Sequence, residues 1–167
     1  MPRRRLLATL DAGLVGHATL VCAPAGFGKS SIVSQWIETI DRPVAWLALD
    51  PAIDDPRWFL MHLAETIRRV APGTLEVVTQ MVQAPVLPDL AVVIPELSNE
   101  LDELAQPIVV VLDDYHRITS PSVHTIMSEL IAHPNGAVHF VIVSRYEPPL
   151  QIRALRVRGQ LAQLRMS

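Results

Sequence analysis

The sequence predicts an α/β protein built on a parallel five-stranded sheet with helices on both faces. Three observations lead there. Five short runs rich in Val, Ile and Leu punctuate the chain: ATLVC at 18–22, VAWLAL at 44–49, IVVVL at 108–112, VHFVIV at 138–143 and a weaker one at 160–165. The longer segments between most of them carry apolar residues every three or four positions, the helical period. Finally, 50% of the 167 residues are hydrophobic and only 19% are charged. That charge content is below the roughly 25% of an average soluble domain and suits strands covered on both faces.

The elements follow in order. Met1-Pro2-Arg3-Arg4-Arg5 is basic like a signal peptide, but residues 6–16 contain Asp11, Gly13 and Gly16 and no clear cleavage site, so they read as a mature helix with a solvated basic start. After the first strand, residues 30–40 form a helix through Ile32, Val33, Trp36, Ile37 and Ile40. The strand at 44–49 is followed by Asp54-Asp55-Pro56, an acidic cap with proline in the first turn. That helix has the stripe Leu60, Leu63, Ile67 and Val70 and ends at Pro72-Gly73. Residues 74–106 are less regular. Pro85 and Pro88 mark a loop, and Leu90, Ile94, Leu97, Leu101 and Leu104 keep helical spacing, with Pro95 kinking the helix or standing near its start. The strand at 108–112 is closed by Asp113-Asp114. A helix at 121–133 with Val123, Ile126, Met127, Leu130 and Ile131 on one side leads to a Pro134-Asn135-Gly136 turn and the fourth strand. Pro148-Pro149 precedes a short helix at about 150–156, and Gly159 precedes the fifth strand.

Composition narrows the function. The mean hydropathy is +0.29, which excludes disorder. The net charge of −3 provides no bulk field for DNA. No apolar run reaches the 18 residues or more of a membrane span. The single cysteine, Cys22, excludes an internal disulfide framework and reads as packing. Its presence alone is compatible with a reducing cytoplasm. The six histidines show no metal-ligand spacing, and His116 reads as a loop residue. Trp36, Trp46 and Trp58 read as core.

The informative stretch is Ala23-Pro24-Ala25-Gly26-Phe27-Gly28-Lys29-Ser30, between a strand and a helix. It matches G-x-x-x-x-G-K-S/T except for Ala23 at the first position. Gly26 and Gly28 let the backbone curl its N–H groups inward around phosphate oxygens, and the helix start aims its positive end at the same place. Lys29 would reach the β- and γ-phosphates, and Ser30 would ligate Mg²⁺. Ala25, Gly26, Phe27, Gly28, Lys29, Ser30 and Ser31 form the expected nucleotide-binding set. The competing reading is a glycine-rich structural turn.

The run Val109-Val110-Val111-Leu112-Asp113-Asp114 is expected beside the phosphate-loop strand. There Asp113 would serve Mg²⁺ directly or through water, the Walker B role. Asp114 would orient or deprotonate the attacking water, or else cap the following helix. Ligands of open α/β sheets bind outside the carboxyl ends of the strands. Ser144 and Arg145, after the fourth strand, should therefore face the nucleotide. Arg145 would sense the γ-phosphate and stabilise developing charge, or else pair on the surface with Glu147 or Asp114.

The ordered set APAGFGKS…SQW, PVAWLALD, DDPRWF, VVVLDDYH, VIVSRYEPPL and RALRVRGQLAQLR resembles the N-terminal ATPase domain of the large ATP-binding LuxR-type transcriptional regulators. These are STAND-class P-loop NTPases of the maltose-regulon activator type. The resemblance covers about residues 5–165. It implies a sheet of order 5-1-4-3-2, ATP or ADP with Mg²⁺ as cofactors, and slow ATP hydrolysis used as a switch. It also implies ATP-dependent self-association of the full-length protein and a cytoplasmic location. By motif match, Lys29 and Ser30 are the Walker A residues, Asp113 and Asp114 the Walker B pair, and Arg145 the sensor arginine. The Ala23 substitution lies within the family's pattern, whereas Pro95 is unusual in it. The family's winged-helix region, helical-repeat sensor and DNA-reading helix-turn-helix have no counterpart here. Residues 1–167 thus read as one nucleotide-binding domain, excised from or truncated relative to a longer regulator. Its partner is an adenine nucleotide and it binds no DNA itself. Two rival readings stay open: a small-molecule phosphotransferase, with Arg153, Arg156 and Arg158 over the phosphates, and a nucleotide-binding scaffold without hydrolysis.

Overall fold

The computed structural model describes residues 3–133 and 136–166; Met1, Pro2 and the Pro134-Asn135 part of the expected turn lie outside them. The elements run α1 (Arg3–Gly13), β1 (Ala18–Cys22), α2 (Lys29–Ile37), β2 (Val44–Ala48), α3 (Pro56–Val70), α4 (Glu76–Gln83), α5 (Leu90–Asp102), β3 (Ile108–Asp113), α6 (Pro121–Ala132), β4 (Val138–Ser144), α7 (Arg153–Val157) and β5 (Leu161–Arg165). Single 3₁₀ turns stand at Pro51–Ile53 and Tyr115–Arg117. The sheet order is β2-β3-β4-β1-β5, and all four pairings are parallel. This is the expected order.

Side-chain alternation divides the core into two layers. Val21, Val109, Val111, Val141, Val143 and Leu164 pack with α1 and α2 through Leu6, Leu10, Ile32, Val33 and Trp36. The alternate residues, among them Leu20, Leu47, Val110, Leu112, Phe140 and Ile142, pack against α3 to α7. Strands β1, β3 and β4 are buried along their whole length, which is why their sequences read as unbroken apolar runs.

Several local expectations change. β3 does not lie beside β1, because β4 runs between them. Asp54 and Asp55 do not act together. Asp55 caps α3, its side chain accepting from the Arg57 N–H. Asp54 instead accepts from the N–H and hydroxyl of Thr119 and from the N–H of Ser120, just ahead of α6. α5 starts at Leu90, capped by Asp89, and runs through Pro95. Pro95 and Ala91 are both exposed. The Ala91 carbonyl that loses its partner to proline's missing N–H therefore faces water. Helix α4 lies within the less regular stretch 74–106, where the apolar spacing of the sequence predicts only the later helix. Trp36 is fully buried and Trp46 partly so, but Trp58 is 49% exposed, so it is not a core residue. It stands in the first turn of α3, with its ring near that of His62.

Candidate nucleotide site

The loop from β1 to α2 is exposed from Pro24 to Gly28 and dips into the protein at Lys29. Gly26 and Gly28 adopt φ 85° and 72°. A Cβ at Gly26 would meet nothing within 4 Å, so the demand for glycine there is conformational rather than steric. Ala23 stands where the motif has its first glycine. It is buried, its N–H donates to the Ser144 carbonyl at 3.2 Å, and its φ is not positive. Alanine therefore satisfies that position. Gly28 is the N-cap of α2 and offers no side-chain acceptor. The first N–H groups of α2 therefore take no side-chain cap from that residue, and an uncapped helix start suits an anion.

Lys29 is only 8% exposed, and its Nζ donates to the Pro24 carbonyl at 3.2 Å. The ammonium thus folds back across the loop it belongs to. The Ser30 hydroxyl donates to both carboxylate oxygens of Asp113, at 3.0 Å each. Asp113 is the last residue of β3 and shares a face with Val109 and Val111, the face that α2 covers. Ser30 and Asp113 therefore meet although β4 separates β3 from β1, because α2, which carries Ser30, packs on the same face as Val109 and Val111. Burial raises the Asp113 carboxyl above its ordinary range and the neighbouring Asp114 adds to this, while the Ser30 hydroxyl and the Asp114 N–H oppose the shift.

Asp114 has φ 58°, a left-handed conformation that is uncommon for a residue with a side chain. It opens the Tyr115–Arg117 turn but makes no side-chain cap bond, so the capping alternative is not what the structure shows. Beyond it, Tyr115 is fully buried, and its phenol group lies 2.9 Å from His124 Nδ1.

Arg145 follows β4 and is exposed. Its suggested ionic partner Glu147 binds Arg156 at 2.6 Å and Arg165 at 3.1 Å instead. None of the ion pairs among the described residues includes Arg145. Ser144 is fully buried, and its hydroxyl has no hydrogen-bond partner among the described residues. By alternation it shares the side of Phe140 and Ile142, under α3 to α7, rather than the side of Asp113. Burial raises the Cys22 thiol, with Arg165 and Lys29 opposing; that suits a packing role. His116 is a residue that motif reading passed over. Its Nδ1 lies 3.4 Å from the Arg145 backbone nitrogen, and its imidazole feels the charges of Asp114, Arg145 and Lys29. Only its place two residues past Asp114 hinted at this.

The chemistry of these groups fits a phosphate-bound hard cation. Ser30 and Asp113 offer oxygen donors only. Among the described residues no group of three or more His, Cys, Asp and Glu side chains could hold a metal ion by itself. A cation here would rely on phosphate oxygens and water for its remaining ligands, the usual habit of Mg²⁺.

No protein-family model matches the chain. Its backbone is similar to that of Cdc6p from Pyrobaculum aerophilum, with a TM-score of 0.60 at 14% identity over 99% of this chain and 45% of that one. A Walker-type ATPase of Pyrococcus abyssi gives 0.62 at 15% identity, over 98% of this chain and 53% of that one. The chain has the P-loop NTPase fold. The ORC1 protein of Aeropyrum pernix, solved in complex with DNA, is also similar, with a TM-score of 0.52 at 17% identity over 99% of this chain and 44% of that protein. The chain thus spans about half the length of the solved proteins it matches. No helix among the described residues is long and apolar enough to cross a membrane.

Proposed function

We propose that the chain is the Mg²⁺-dependent ATP- and ADP-binding switch domain of a larger cytoplasmic transcriptional regulator of the LuxR type, with slow ATP hydrolysis. The observation that carries the nucleotide reading is the meeting of Ser30 and Asp113 at 3.0 Å beside a loop whose Gly26 and Gly28 are both left-handed. The regulator reading rests on the ordered motifs from APAGFGKS to RALRVRGQLAQLR.

Each residue has a task in this reading. The loop N–H groups and the start of α2 hold phosphate oxygens. Lys29 leaves the Pro24 carbonyl to meet the β- and γ-phosphates. Ser30 and Asp113 hold the cation, which when bound neutralises phosphate charge. Asp114 orients or deprotonates water on the γ-phosphate side, and Arg145 contacts the γ-phosphate. Turnover is slow because Phe27 and Arg145 are exposed and Asp114 is only half-buried, whereas fast phosphoryl transfer needs water excluded and the groups fully positioned. In the full-length protein the ATP-bound form self-associates, and a separate helix-turn-helix reads DNA.

Titration calorimetry with MgATP and MgADP tests the reading. Lys29→Ala should weaken both by about 2 kcal/mol or more, the scale of a lost charge-assisted contact. Asp114→Asn should leave binding nearly intact and lower residual hydrolysis by roughly 100-fold. Equal affinity of wild type and Lys29→Ala would sink the nucleotide reading. Full turnover by Asp114→Asn would remove Asp114 from its role.

A further inference from the structure

The stretch that begins at Asp114 and the loop that carries Arg145 are joined by contacts that the motif roles do not explain. The Tyr146 hydroxyl donates to the His116 carbonyl at 3.1 Å. The Arg145 N–H points at His116 Nδ1 at 3.4 Å. The two rings meet edge to face, 6.1 Å between centroids at 61°. His116 therefore engages both Arg145 and Tyr146, once through its backbone and twice through its ring.

The two sides differ in how firmly they are held. The acidic stretch is anchored along its length. Asp113 belongs to the sheet, Tyr115 is fully buried, and Asp54 ties down Thr119 and Ser120. Arg145, Tyr146 and Glu147 are all exposed. Beyond Tyr146, the Glu147 carboxylate bridges Arg156 of α7 and Arg165 at the end of β5. Arg145, which pairs with no carboxylate among the described residues and stands in an exposed loop, depends on its backbone for its position.

We propose that His116 and Tyr146 are positioning residues, which clamp the arginine loop to the acidic stretch and so hold Arg145 where it can contact the third phosphate of a bound nucleotide. The inference rests on the nucleotide reading above and adds to it the residues that place Arg145. With Nδ1 accepting from Arg145, the ring proton sits on Nε2. Burial lowers the imidazole's affinity for a second proton, against the pull of Asp114 and with Arg145, Lys29 and Arg117 assisting. The ring thus keeps its acceptor at neutral pH.

Four variants of the full chain test the clamp: Tyr146→Phe, His116→Ala, His116→Asn and Arg145→Ala. Affinities for MgATP and MgADP are measured by calorimetry, and hydrogen exchange of the nucleotide-free protein is followed over residues 144–152. Tyr146→Phe removes only the hydroxyl. It should weaken ATP binding about fivefold, the scale of one hydrogen bond, while ADP binding stays within about twofold and exchange over 144–152 speeds up. His116→Ala should do the same. His116→Asn should restore ATP affinity, because its amide oxygen can take the place of Nδ1. A purely structural role would weaken ATP and ADP together and would overturn the proposal. So would unchanged exchange and unchanged ATP affinity in both Tyr146→Phe and His116→Ala. Arg145→Ala separates the two levels. If it loses ATP selectively while the clamp variants do not, only the clamp falls. If it spares ATP and ADP alike, the γ-phosphate role of Arg145 falls and the clamp's purpose falls with it.

Discussion

Helices α2 and α4 begin in the same unusual way. Each has a left-handed residue at its N-cap, Gly28 with φ 72° and Leu75 with φ 55°, and neither residue supplies a side-chain cap. Their first N–H groups meet different fates. In α4 the Glu100 carboxylate, reaching from α5, accepts from the Val77 and Val78 N–H groups at 2.9 and 3.0 Å. At the other end of α4, the Arg57 guanidinium of α3 donates to the carbonyls of Val82 and Ala84 at 2.6 and 2.7 Å. In α2 the N-cap Gly28 makes no side-chain cap bond, and the neighbouring Lys29 is cationic. A helix start satisfied by the protein's own carboxylate is structural. One left without a cap beside a buried lysine suits the phosphate of the proposed nucleotide.

The largest effect should come from stripping α4 of both borrowed caps. The Glu100→Ala/Arg57→Ala pair should cost about 3 kcal/mol in urea denaturation, the sum of two lost capping arrangements. Nucleotide affinity should stay unchanged. A comparable loss of ATP binding would show that the two helix starts are not independent.

Acid sharpens the distinction next. His139 is almost wholly buried. Its Nδ1 lies 2.9 Å from the Gly16 carbonyl and its Nε2 2.8 Å from the Thr19 hydroxyl. The carbonyl can only accept, so the ring donates through Nδ1 and takes the Thr19 proton at Nε2 as a neutral imidazole. Burial lowers its pKa to about 4 from 6.5. The unfolded chain takes up the proton first, so stability is complete above the unfolded value and falls as pH drops toward the folded one. Between about pH 7 and about pH 5 the loss should be about 2 kcal/mol. His139→Gln should flatten this part of the stability profile. If the slope persists in that variant, the acid sensitivity belongs to another group.

A smaller effect tests the open helix start itself. Gly28→Ala meets no nearer atom than Ser31 Cβ at 4.0 Å. Its cost is then the left-handed backbone alone, about 1 kcal/mol. ATP affinity should fall along with stability. The smallest expected effect is on DNA. With net charge −3, the chain should show no sequence-selective retention in a gel shift at about 150 mM salt. Such retention would join the DNA-reading function to this domain.

The sequence by itself determined the features whose causes lie within a few residues of one another. The strands are contiguous apolar runs. The caps Asp55, Asp89 and Ser120 stand directly before the helices they start. The phosphate loop needs only its own glycines and the strand and helix on either side. Tertiary structure decided whatever depends on partners far apart in the chain. α4 could not be read because its caps are Arg57 and Glu100 rather than its neighbours. Asp54 looked like part of the α3 cap but serves the start of α6. Ser30 and Asp113 were both legible as residues, yet their meeting across the width of β4 depends on the path of α2. The left-handed turn at Asp114 and the His116–Tyr146 contact likewise arise where separate loops converge. Local pattern records what a residue prefers beside its neighbours. A hydrogen bond between distant segments has no period or spacing along the chain, and it becomes visible only once the sheet order brings those segments together.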